Sequence, residues 1–213
     1  MNFEQGGPVR TYGEACPVAH ALDAVGDRWS LLVVRELRLG PRRYSDLAAA
    51  LPGIGPSVLS QRLRDLVDAG VLEQRGTGYG LTAWGVGLEP VFRALAAWGM
   101  ASPTPRTGPI STDSVLLGLR TFFARTPGWD AVVEIRAGRE VYRVVVVDGE
   151  LRELSRGAPA QVPDAVLTGD DLTALAAGTD ALDHAVASGT LTVTGDAAAV
   201  RRLVTSTARP PSQ

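Results

Sequence analysis

The chain has 213 residues, 45% of them hydrophobic and 21% charged, and a formal net charge of −2. That length suits two domains of about 100 residues with real cores, and the near-neutral balance excludes a globally basic coat, so a nucleic-acid footprint must be a local patch. One cysteine excludes an internal disulfide or a cysteine-based zinc site.

Residues 1–15 are polar and punctuated by glycine, and read as an arm without the apolar core of a signal peptide. No run approaches the roughly 18 apolar residues that a membrane span needs, so the expectation is a cytoplasmic protein. Cys16-Pro17 opens a helix that runs through Leu22, Val25, Trp29 and Leu37 to Gly40-Pro41, with Gly26 as a candidate break and Asp27 as a cap for a second segment. A short helix is predicted over 44–51. It is followed by the turn Pro52-Gly53-Ile54-Gly55 and a longer helix over 56–70, in which Leu59, Leu63, Leu66 and Val67 form one apolar stripe. Pro56 suits the first helical position and Gly70 suits a left-handed cap. Residues 71–75 and 79–81 read as a hairpin around Gly76-Thr77-Gly78. Helix, tight turn, helix and hairpin is the order of a winged helix-turn-helix.

Residues 82–100 are helical in pattern, bent or divided near Pro90. The Pro-rich stretch 102–111 is the expected linker. A helix follows over about 113–125. The period then falls to two over 131–136, 140–147 and 150–154, with hairpin turns at Ala137-Gly138-Arg139 and Asp148-Gly149. Two more short strands (165–167, 191–193) and three helices near 170–177, 180–187 and 196–206 complete the chain before a polar tail, 209–213. The expected fold class is α+β. A winged helix-turn-helix domain (1–101) leads through the linker to a second domain (112–208), a sheet of about five strands with packed helices.

A helix-turn-helix places its second helix in the major groove, with the wing at neighbouring backbone. Ser57, Ser60 and Gln61 are the side chains that reach base edges from its first turns, and Arg43, Arg62, Arg64 and Arg75 are expected at phosphates. The alternative is a winged domain that contacts protein, within a ligand carrier or sensor. Only His20 and His184 could serve as histidine bases, and neither stands in a nucleophile constellation, so no enzyme activity, metal or cofactor is expected.

Residues 14–100 resemble the HxlR family of bacterial transcription regulators, which are related to MarR-type proteins. The resemblance rests on Cys16-Pro17-Val18, Gly26-Asp27-Arg28-Trp29, Gly40-Pro41-Arg42-Arg43-Tyr44-Ser45-Asp46-Leu47, Leu51-Pro52-Gly53-Ile54-Gly55, Leu59-Ser60-Gln61-Arg62-Leu63, Ala69-Gly70-Val71-Leu72, Tyr79-Gly80-Leu81-Thr82 and Ala97-Trp98-Gly99. Gly55 stands where the family usually has a capping serine, and the wing lacks the common Pro-rich tip. The resemblance implies binding to double-stranded DNA as a homodimer, with an interface made by the N-terminal helix and the helix ending at Trp98. It also implies a redox or electrophile sensor at Cys16, the alternative being a small packed side chain. A helix N-terminus favours the thiolate.

Residues 113–206 resemble sterol-carrier-protein-like domains, through Val141-Tyr142-Arg143-Val144-Val145-Val146-Val147-Asp148-Gly149, Ala165-Val166-Leu167-Thr168-Gly169-Asp170 and Gly189-Thr190-Leu191-Thr192-Val193-Thr194-Gly195-Asp196. That resemblance implies a small apolar ligand between sheet and helices. The expected lining is Leu116, Leu119, Phe122, Phe123, Trp129, Val133, Tyr142 and Val144, with Tyr142, Arg143 or Arg120 as an orienting polar contact. A filled core with a dimerisation role is the alternative.

Overall fold

The computed structural model describes residues 11–207. The expected tail and all but the last five residues of the expected arm lie outside the described residues. The chain divides into two compact units between Gly87 and Leu88.

In the first unit the long N-terminal helix is two, α1 (Pro17–Val25) and α2 (Ser30–Leu37). Gly26 ends α1 with its N–H on the Leu22 carbonyl, and Asp27 Oδ1 accepts from Trp29 N at 2.9 Å in the turn before α2. Next come β1 (Arg42–Arg43), α3 (Tyr44–Ala50), α4 (Pro56–Asp68), β2 (Leu72–Arg75), β3 (Gly78–Leu81) and α5 (Ala83–Val86). The three strands are antiparallel in the order β1-β3-β2. β1 is too short to leave a periodicity, and it exists because β3 offers it an edge.

In the expected α4 stripe Leu59, Leu63 and Leu66 are buried and Val67 is half-buried. Its C-terminus is a Schellman turn, with Val71 N on the Leu66 carbonyl, Gly70 N on the Val67 carbonyl and Gly70 at φ +74°. Thr82 then fastens the end of the wing to this turn, donating its hydroxyl to the Gly70 carbonyl at 2.7 Å and accepting from Gly85 N at 3.1 Å. Gly85 passes so close to Val71 that a Cβ would lie 2.2 Å from the Val71 carbonyl oxygen.

The second unit opens with α6 (Glu89–Met100), in which Pro90 sits in the first turn, where its missing N–H costs nothing. Residues 102–111 contain no helix or strand. Even so, α6 packs on the next helix, α7 (Thr112–Phe122), and Glu89 pairs with Arg120 at 3.4 Å. This packing divides the units before α6 rather than at the Pro-rich stretch.

Then come β4 (Ala131–Ala137), β5 (Glu140–Val147), β6 (Glu150–Arg156), β7 (Ala165–Thr168), α8 (Thr173–Ala177), α9 (Thr179–Ala187), β8 (Thr192–Gly195) and α10 (Ala197–Thr205). The sheet order is β6-β5-β4-β7-β8, with β4 and β7 parallel and the other pairs antiparallel. One face carries Val133, Ile135, Tyr142, Val144, Ala165 and Leu167, which pair across strands and are all buried. α7 packs on β6, and α10 packs on β4, β7 and β8. Among the described residues no helix is long and apolar enough to cross a membrane.

Candidate nucleic-acid interface

Burial of Leu59, Leu63 and Leu66 turns Ser57, Gln61 and Arg64 outward, where all three are exposed. α3 is locked to the start of α4 by Tyr44, whose hydroxyl donates to the Pro56 carbonyl at 3.0 Å and accepts from Ser60 Oγ at 3.5 Å. Ser60 is therefore half-buried at the helix-helix contact, not out among the base-reaching residues. Asp46 Oδ2 accepts from Arg43 N at 3.2 Å and caps α3. The reciprocal half of a capping box is absent because a guanidinium has no acceptor.

Arg43 is exposed on β1, beside the wing. The pairing of β1 with the wing requires glycine at 78, where a Cβ would lie 2.6 Å from the Arg42 carbonyl oxygen. Arg75 is exposed on β2, with Nε 2.7 Å and Nη2 2.6 Å from Glu73 Oε1. Its stem lies over Gly80.

Arg62 goes elsewhere. Its side chain is 25% exposed, with Nη2 3.0 Å from Asp65 Oδ2 and Nη1 3.5 Å from Asp27 Oδ2 in the α1-α2 turn. It ties α4 to that turn instead of facing outward with Arg64. The sequence could not reveal this, because Asp27 is distant in the chain. Gln61 is engaged on both ends of its amide: Nε2 donates to Asp65 Oδ1 and Oε1 accepts from Arg64 Nη2, each at 2.6 Å. The C-terminal half of α4 borders an open cleft of about 1020 Å³, lined by Asp23, Asp27, Asp65 and Asp68 among others. Arg28 and Arg62 line the same cleft, and Arg62 pairs there with Asp27 and Asp65.

The sequence of this region has relatives. The HxlR-like helix-turn-helix model matches residues 24–106. An HTH-type transcriptional regulator of Synechocystis sp. is 37% identical over 99 residues, 43% of this chain and 73% of the relative. The chain belongs to the HxlR-like helix-turn-helix family. Two relatives from Bacillus subtilis are the HTH-type regulators YvaP, 34% identical over 40% of this chain and 86% of its own length, and YodB, 30% identical over 39% and 81%. The crystal structure of quinone-bound YodB covers 39% of this chain and 97% of that one, with 32% identity and a TM-score of 0.38. Family membership makes this a DNA-binding transcription regulator, and the family match ends at residue 106.

Cys16 is the N-cap of α1 and is exposed. The N–H of Ala19, and after it that of Val18, stabilise the thiolate and hold the thiol below its ordinary range.

In the second unit Leu116, Leu119, Trp129, Val133, Tyr142 and Val144 are buried, and Phe122 and Phe123 are half-buried at the end of α7. The Tyr142 hydroxyl, expected to orient a ligand, is already committed to Asp113, which also pairs with Arg156. Arg143 pairs with Glu153 on the other face of the sheet, and Arg120 pairs with Glu89. Trp129 Nε1 is buried and has no acceptor among the described residues. No three His, Cys, Asp or Glu side chains gather as metal ligands would among the described residues.

Proposed function

We propose that this protein is a homodimeric transcription regulator whose α4 enters the major groove by its first two turns, with Ser57 and Gln61 at base edges and Arg43, Arg64 and Arg75 at phosphates. The observation that carries this reading is the outward row Ser57, Gln61 and Arg64 on a helix fixed by three buried leucines and by the Tyr44 hydrogen bond. Arg62 serves the domain rather than the DNA, because it sits between Asp27 and Asp65. The test is enrichment of duplexes from a randomised pool, followed by titration against random competitor. A wild-type protein with no preference for any duplex fails the reading and favours a winged domain that contacts protein.

Dimerisation is supported by α6, which has no buried residue and exposes Val91, Leu95 and Trp98 at i, i+4 and i+7, Trp98 at 79%. On α1, Val18 and Leu22 are likewise exposed. A twofold pair would read a palindrome. Sedimentation should give about twice 22.4 kDa, reduced to the monomer mass by Trp98→Glu. A wild type that sediments at 22.4 kDa removes the dimer.

Within the second unit, the part that follows the Pro-rich stretch 102–111 is a sterol-carrier-like regulatory domain for a small apolar ligand, joined by that stretch to α6. The buried apolar face of its sheet and the half-buried Phe122 and Phe123 support this. With Tyr142 committed, Trp129 Nε1 is the donor available to an oxygen of the ligand. α6 lies inside the family match and packs on α7, so a ligand that favours one arrangement of α7 changes α6 and the dimer it builds. A thermal shift from a panel of fatty acids and sterols, diminished in Trp129→Phe, is the expected result. No shift makes this a dimerisation or partner-binding domain. Cys16 adds redox control: its exposed thiolate is the group that an oxidant reaches.

A further inference from the structure

Val58 lies in the first turn of α4, beside Ser57 and three residues before Gln61, and it is 42% exposed. It belongs to neither the leucine stripe nor the contact with Tyr44. A lone apolar residue on a surface is ordinary, but this one sits on the part of a recognition helix that meets base edges. Its neighbours are already occupied. The Gln61 amide is held at both ends by Asp65 and Arg64, and Arg62 is held by Asp27 and Asp65. A Gln61 that matched adenine with both its donor and its acceptor would have to release both partners. Among the outward side chains of the first two turns, Ser57 and Val58 are those with no such prior engagement.

A valine has no hydrogen-bonding group to offer a base, and in the major groove the one apolar mark a base pair displays is the 5-methyl of thymine. We infer that Val58 is a specificity-determining residue that packs on a thymine methyl in each operator half-site, an inference that rests on the DNA-binding reading above. Burying one methyl against the isopropyl group removes apolar surface from water on both partners. Cytosine, adenine and guanine offer no such group, so selectivity at that base pair comes from shape and burial while Ser57 supplies the nearby hydrogen bond.

The test uses the full chain and duplexes enriched from a randomised pool. In the enriched site each thymine is replaced in turn by deoxyuridine, which removes the methyl and keeps every hydrogen-bonding group. Wild type should lose roughly threefold to tenfold in affinity at one symmetry-related pair of thymines, and Val58→Ala should be insensitive to that replacement. Because Val58 is exposed and alanine is a good helix former, the variant should fold, and its unchanged melting temperature verifies this. An enriched site without thymine, a site where no thymine-to-uracil change matters, or one where Val58→Ala stays as sensitive as wild type each overturns the assignment and leaves DNA binding intact. Failure to enrich any duplex instead sinks both.

Discussion

The hydroxyl of Tyr142, on β5, donates to Asp113 Oδ1, in the first turn of α7, at 2.6 Å, and both residues are buried. Arg156, on β6, completes the group by pairing with the same carboxylate. One helix is thus fastened to two strands by a polar contact inside an apolar layer, where an unmatched partner is expensive. Burial first, and then the hydrogen bond to Asp113, hold the phenol far above its ordinary range.

Tyr142→Phe should destabilise the second unit by about 1–3 kcal/mol, because it leaves Asp113 short of one donor. The folded pKa is raised, so the contribution of Tyr142 is fully present below the unfolded phenol value of about 10 and is lost as pH rises above it. Denaturant midpoints should therefore fall more steeply above pH about 10 in wild type than in the phenylalanine variant. Parallel curves would contradict this.

Arg62 and Arg64 are two residues apart and should behave differently. Arg64→Ala should weaken all duplexes alike and lower the slope of log affinity against log salt by about one. Arg62→Ala should leave that slope unchanged and lower the melting temperature slightly, since half-exposed ion pairs contribute about 0–1 kcal/mol. A slope lowered equally from wild type in the two variants would mean that both touch phosphate.

Gly85→Ala should destabilise the first unit by about 1–3 kcal/mol, because the added Cβ would stand 2.2 Å from the Val71 carbonyl oxygen and the backbone must move. The readout is chemical denaturation followed by Trp29 and Trp84 fluorescence in a chain whose other tryptophans are replaced by phenylalanine. A midpoint within experimental error of wild type would show that the latch between wing and α4 is loose.

Alkylation of Cys16 by iodoacetamide should be half-maximal below the ordinary thiol value of about 8.5, and it should move up to that value when the protein is unfolded. The rate against pH, measured in both states, checks this. Identical profiles would remove the contribution of the α1 N-terminus.

The helix-turn-helix was legible in the sequence because its signals are local: Pro56 and Gly70 bracket a helix whose leucines recur on one face, and in the second unit Asp148-Gly149 marks the β5-β6 hairpin in the same local way. Residues whose roles depend on distant partners were not legible. Arg62 and Arg64 differ in their surroundings because Asp27 is brought to one of them. Ser60 faces Tyr44 rather than outward, and Tyr142 meets Asp113, 29 residues away in the chain. The strand order β6-β5-β4-β7-β8 likewise came from pairing at long range. Periodicity records which face of an element is apolar, because that depends on spacing along one chain segment. Which charge meets which, and therefore which arginine is left to face outward, is decided only when packing brings separate segments together.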